Sequence, residues 1–436
     1  MLLLVILLSI SYPIFAATEL QNSTATKMVI LNLSLSPENV YYIQNLTLGT
    51  PPQPMENVII DTGLSDFIIG SSLYDSRNST SFIDTFEKYL TPDLYTINRV
   101  FETISGPNWT LPEYTFGYAN MPYIGMFSGI LGLGYIKQES MKPNYENFPM
   151  ALKSQGLISK AIFSINGRED DQAQIVFAAV IENAYQGSLV RVPFIKVFTL
   201  EQQADYFYVP SFTVNKITFG NIVISSQKTL YEIHMSGSEF ITPEPVYLNI
   251  MTLLGQDFIA VREQTYFDLE IVREININIS IQGIILTFPL LELAGEVLEN
   301  QGKTYITLKL ASYKIGYDAY VGVLPGCLMK YYYTVFDYES NSIYFAKYKS
   351  VPKQTKRYIS YTEDGDFPVP AVDVPNPQDT YSAIYKDELE IKVTESISFV
   401  NNGTFYTNGS DDSSNNIMVP SLCIIFLSLY INFFVV

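Results

Sequence analysis

Between about residues 40 and 350 the apolar positions fall in short runs broken by Gly, Pro, Asn or Asp. Val40–Leu48, Val58–Asp61, Ala161–Ile165, Gln174–Ala179, Tyr206–Val209 and Tyr331–Phe336 are rich in Tyr, Phe, Ile and Val. Runs of this length and composition, with turn residues at each end, predict strands. Helical spacing occurs near Phe148–Gln155 and around Pro245–Leu254. The pattern therefore predicts an all-β protein. A chain of 436 residues is longer than one hydrophobic core usually supports, which predicts two β-rich lobes.

The two ends read differently. Residues 1–17 are uncharged, apolar and end in small residues, the pattern of a cleaved secretory signal. Residues 417–436 are again uncharged and mostly apolar, without a basic flank. A polar, small-residue stretch, Asn408 to Asn416, precedes them. That order of features predicts a glycosylphosphatidylinositol (GPI) attachment tail, with the acceptor within 408–414. Residues 351–416 are rich in Pro, Asp, Ser and Thr and read as an extended acidic stalk.

Composition narrows the chemistry. There are 44 acidic against 26 basic residues, a net charge of −18, which argues against a nucleic-acid partner. One His and two Cys cannot build a zinc finger, an iron–sulfur cage or a disulfide framework, so neither metal nor cofactor is expected. Cys423 lies in the tail, which leaves Cys327 as one thiol in the mature chain. Sequons occur at Asn22, Asn32, Asn45, Asn78, Asn108, Asn278, Asn402 and Asn408. Asn45, Asn78, Asn108 and Asn278 are the glycosylation candidates within the lobes.

One stretch is specific. Asn45-Leu-Thr-Leu-Gly-Thr-Pro-Pro-Gln53 is followed by Val58-Ile-Ile-Asp61-Thr62-Gly63. It resembles the N-terminal lobe of the pepsin-type aspartic proteases, in which an apolar strand delivers Asp-Thr-Gly to the base of a cleft. Ser128-Gly-Ile-Leu-Gly-Leu-Gly134, Tyr185–Pro193 and Lys330–Asp337 resemble later landmarks of that family, in order. The resemblance covers about residues 40–350. It implies a bilobal pepsin-like fold, a monomer, and an interlobe cleft that takes an extended peptide or protein segment. The expected division is a short N-terminal segment at 18–39, an N-terminal lobe at 40–185 and a C-terminal lobe at 186–350. With signal, stalk and tail, the architecture is similar to the GPI-anchored, yapsin-type surface proteases of fungi, at the plasma membrane or cell wall.

The family's mechanism needs two carboxylates sharing one proton. A second Asp-Thr-Gly or Asp-Ser-Gly is absent from the sequence. Aligning Ser238–Gly255 with the family's stretch after the second catalytic turn puts His234-Met235-Ser236-Gly237 on the expected Asp-Thr-Gly-Thr. His234 therefore replaces the second catalytic Asp, opposite Asp61, Thr62 and Gly63. Met235 lacks the hydroxyl that ties one loop to the other, and Ser236 brings a side chain to a glycine position. Leu64 stands where a hydroxyl residue supports the first carboxylate, and Ile68 where an aromatic is usual. The family's Leu-Gly-Asp reads Leu324-Pro325-Gly326. The best counterpart of the flap tyrosine is Tyr89, in Tyr89-Leu-Thr-Pro92, without the usual glycines. Between Ala17 and Val40 there is one Lys, Lys27, too little basic charge for a masking prosegment. The expectation is an aspartic-protease homologue whose proteolysis is lost or impaired but whose cleft still binds peptide. An acid endopeptidase using an Asp61/His234 pair, and a structural cell-wall glycoprotein, are the alternatives.

Overall fold

The computed structural model describes residues 27–91, 96–119, 128–168, 173–199, 204–207, 209–254, 258–261, 264–313, 321–363, 365 and 367–381. The expected signal, the 382–416 part of the stalk and the apolar tail lie outside the described residues.

The fold is mostly strand, 51%, with few helices. Val58–Asp61 is buried along its whole length. It pairs in parallel with Gly129–Gly132 and touches Tyr41–Gln44 on its other side. A strand covered on both faces has no polar positions to alternate, which is why Val58-Ile-Ile reads as one apolar run. The second lobe repeats the device. Thr229–His234 pairs in parallel with Val321–Pro325 and antiparallel with Phe212–Val214. The two strands thus deliver Asp61 and His234 at equivalent ends.

A 16-stranded sheet joins the lobes. In it Ile162–Asn166 of the first lobe pairs with Tyr332–Asp337 from the late chain, Phe163 opposite Phe336. Those two rings stack at 5.0 Å and both are fully buried. Burying side chains of this size contributes roughly 1.5–3 kcal/mol each, so the junction is cored rather than merely hinged.

The helices Phe148–Ser154 and Glu244–Leu254 match the expected positions. The first is capped by Asn147, whose side chain accepts from the Met150 N–H. The run Val40–Leu48 is divided into Tyr41–Gln44 and Leu46–Leu48, with Asn45 at φ 59° between them. Gln174–Ala179 divides in the same way at Ala178. Of the run Tyr206–Val209, Tyr206 ends the strand Ala204–Tyr206, paired with Val197–Thr199, and Val209 lies outside any strand.

Two boundaries differ from the expectation. Val29–Leu35 is a strand of the large sheet, between Gln174–Phe177 and Tyr41–Gln44, so the lobe begins before residue 40. Its alternation of buried Val29, Leu31 and Leu33 with less buried neighbours fits a half-covered strand. Residues 351–381 do not extend as a stalk but strap across the molecule. Tyr358–Ser360 pairs with Ala179–Ile181, and Ala371–Asp373 pairs in parallel with Tyr185–Pro193. Tyr361, Val369 and Val374 are buried, and Phe367 stacks on Tyr344 at 4.1 Å. Further on, the Asn376 N–H donates to the Gln282 carbonyl and the Tyr381 N–H to Thr213 Oγ1. These strands are three residues long, too short to stand out among prolines.

Candidate functional site

Asp61 is 3% exposed at the end of its strand. Its Oδ1 accepts the Gly63 N–H at 2.8 Å, and its Oδ2 accepts the Ser236 hydroxyl at 2.5 Å. The first contact is local to the turn, whereas the second crosses between the lobes. Ser236 was expected to crowd its turn. Instead it needs no left-handed backbone, and it supplies from the second lobe the hydroxyl that Leu64 cannot supply from the first.

Thr62 is fully buried and ties the loops in the other direction. Its hydroxyl donates to the Ile233 carbonyl at 2.5 Å and accepts the Met235 N–H at 3.3 Å. Met235 has no hydroxyl to make the reciprocal pair, so the tie is one-sided. Behind the first turn, the Leu133 N–H donates to the Asp61 carbonyl at 2.7 Å and Gln138 Nε2 to the Gly63 carbonyl at 2.8 Å.

His234 ends the strand Thr229–His234, and its ring lies on Gly63, where any Cβ would collide with the imidazole. A side chain at 63 would have to displace the His234 imidazole. Nε2 of His234 is 3.0 Å from Glu232 Oε1, with 13% and 9% of the two side chains exposed. Burial would push the imidazole down, but Glu232 first and Asp61 next outweigh it and hold it up at about 9. Glu232 was missed by the sequence reading. The available signal was a single acid in an otherwise apolar strand, Thr229-Leu-Tyr-Glu-Ile-His234.

Tyr89 lies on the strand Ile83–Leu90, in a hairpin with Thr96–Gly106. Its hydroxyl donates to the Lys142 carbonyl at 2.6 Å, and the Arg99 guanidinium lies over its ring at 5.7 Å. Arg99 also donates to the Pro143 carbonyl. The same 136–146 segment carries Gln138, so the hairpin and the Asp61 turn share one support. Within it Glu139 is buried, with its carboxyl pushed up to about 8 by desolvation, although the Tyr145 N–H donates to it. Asp66 beside it accepts from Ser140 and from the Tyr145 hydroxyl.

Of the glycosylation candidates, Asn45, Asn78 and Asn108 are exposed. Asn278 is half-buried, and its amide nitrogen is 3.0 Å from Thr218 Oγ1 and 3.1 Å from the Gly220 carbonyl. That nitrogen is already committed inside a sheet. No group of His, Cys, Asp and Glu suited to a metal ion occurs among the described residues. No helix among them is long and apolar enough to cross a membrane.

Two parallel-paired strands that deliver an Asp-Thr-Gly turn and its counterpart to one interlobe site define a two-lobed protein of the aspartic-protease class. The profile of the eukaryotic aspartyl protease family matches residues 41–348, more than half of the chain, and the chain belongs to that family. Among curated proteins it is similar to Candidapepsin-3 of Candida albicans (strain WO-1), with 28% identity over 198 residues, 40% of this chain and 49% of that protein. Candidapepsin-4 of the same strain is 29% identical over 187 residues, 37% of this chain and 44% of its own length. Candidapepsin-1 is 30% identical over 199 residues, 38% of this chain and 48% of its own. The chain thus spans about half the length of the curated relatives it matches. The strap at 351–381 lies beyond the family match.

Proposed function

We propose that this protein is a secreted, surface-anchored aspartic-protease homologue whose interlobe cleft holds an extended peptide and whose proteolysis is lost or impaired. The observation that carries the reading is the imidazole of His234 against the Asp61 turn, where the family places its second carboxylate. Peptide binding in such a cleft uses backbone hydrogen bonds, which do not depend on a catalytic dyad. Relatives named secreted aspartic proteases support an extracellular location, as do the exposed sequons at Asn45, Asn78 and Asn108. The GPI anchor rests on residues 408–436 of the sequence.

A second reading, an endopeptidase using Asp61 and His234, is favoured by the charged state of the imidazole. Asp61 would accept the proton of an attacking water as the imidazolium gives its proton to the carbonyl oxygen; when the gem-diol collapses, Asp61 would pass its proton to the leaving amine and His234 would take one back from a gem-diol hydroxyl. Binding of a pepstatin-type inhibitor together with peptide-library cleavage from pH 3 to 7 tests both. The proposal expects binding without turnover. Cleavage that disappears in both Asp61→Asn and His234→Ala would establish the second reading, and neither activity would leave a structural glycoprotein.

A further inference from the structure

We propose that Glu232 is the positioning residue of this cleft, holding His234 as a charged imidazolium against the Asp61 turn. The centre then sets an imidazolium beside Glu232 and Asp61 where the family has two aspartates sharing one proton. This deepens the cleft reading and rests on it for its bearing on peptide binding.

The geometry begins in the strand. Residues two apart in a strand project to the same face, so Glu232 and His234 emerge side by side. Their charged atoms are 3.0 Å apart. Glu232 is 7% exposed, and its Oε2 has no hydrogen-bond partner among the described residues. A carboxylate removed from water needs a counter-charge, and the ion pair Glu232 makes among the described residues is with His234. Glu232 sits where the surrounding Leu230, Tyr231 and Ile233 are all buried and apolar. An acid at that position has no packing role that an apolar residue would not fill better.

Of the other groups around the imidazole, Asp61 also favours its charged form, second to Glu232. Asp61 approaches from the facing turn, and its Oδ1 and Oδ2 already accept the Gly63 N–H and the Ser236 hydroxyl. Tyr338, which follows Tyr332–Asp337, is kept un-ionised by burial first, then by Tyr135, Glu232 and Asp61. Its hydroxyl donates to the Leu133 carbonyl at 2.5 Å. The charges close to one another are thus two carboxylates and one imidazolium.

His234 is the only histidine in the chain, so histidine-labelled protein gives one imidazole spectrum. In the intact protein we expect nitrogen shifts of a cation at pH 7.5 and a titration midpoint near 9. Glu232→Gln should lower that midpoint by more than about tenfold in proton concentration, and Glu232→Asp should restore most of it. A neutral imidazole at pH 7.5 in the unsubstituted protein would overturn the proposal without any variant having to fold. An unchanged midpoint in a folded Glu232→Gln protein would do so as well. Pepstatin-type binding, measured alongside, separates the two claims. Absence of binding with the expected titration sinks the cleft reading and leaves Glu232 its role, whereas binding with a normal histidine midpoint sinks Glu232 alone.

Discussion

The Ser236 hydroxyl donates to Asp61 Oδ2 at 2.5 Å, joining the second lobe to the carboxylate of the first. Hydrogen bonds to a buried charge are worth more than neutral ones, about 1.5–3 kcal/mol. Ser236→Ala should therefore lower unfolding stability by about that much, with Ser236→Thr retaining part of it. Denaturant titration of the three proteins measures the difference, and equal midpoints would mean that the bond contributes nothing.

Thr62 is the other tie between the turns. Because its hydroxyl serves both the Ile233 carbonyl and the Met235 N–H, Thr62→Val leaves two buried backbone groups without that partner. A loss of about 2–3 kcal/mol is expected. Amide hydrogen exchange at Met235 should rise in Thr62→Val and remain unchanged in a surface control such as Lys153→Gln.

Stability should fall as pH rises from acid to alkaline. Glu139 has an ordinary value of 4.5 and is raised to about 8 in the fold. The folded protein holds its proton over that interval while the unfolded chain releases it. Its contribution is complete below about pH 4.5 and disappears as pH climbs through about 8. His234, raised from 6.5 to about 9, works in the same direction over a higher window. Melting temperatures from pH 4 to 9 should decline, and Glu139→Gln should flatten the lower part of the decline. A rise across pH 4.5 to 8 that Glu139→Gln leaves unchanged would exclude the assigned role.

The strap predicts sensitivity outside the family's own boundaries. Tyr361 is 3% exposed and packs edge-on to Phe367 at 5.5 Å. Tyr361→Ala should cost about 3 kcal/mol through cavity formation. It should also expose the amides of Tyr358–Ser360 to proteolysis. Unchanged cleavage of this segment would show that the strap does not depend on that contact.

Much of the first lobe was legible because its information is local. Val58-Ile-Ile-Asp61 is both a buried strand and the entry to an Asp-Thr-Gly turn, and the Gly-Thr-Pro-Pro-Gln context left little ambiguity. His234 could be placed by its distance from flanking landmarks. Its partner could not be read in the same way: in a strand covered on both faces, alternation does not say what a lone Glu meets. Leu64 and Ser236 show the same limit. Each looked like a loss at its own position, yet the hydroxyl missing from one turn is supplied by the other, a pairing 175 residues apart. The strap was misread because its three-residue strands gain their stability from the edge they join, not from a pattern of their own.

The strap also determines how the molecule meets a mechanical load. Tension arriving from beyond Tyr381 first reaches the Tyr381–Thr213 bond, then the Lys228–Asp379 ion pair and the Asn376–Gln282 bond on the second lobe. It then passes to Ala371–Asp373, whose hydrogen bonds to Tyr185–Pro193 lie across the strand direction. A pull along such a strand loads those bonds together in shear instead of opening them one at a time. The Arg191–Asp373 ion pair adds a further cross-link at the same point. Past those contacts, force is taken up on the edge of the shared sheet, several strands away from Asp61, whereas the Thr213 contact carries it to the strand beside Thr229–His234.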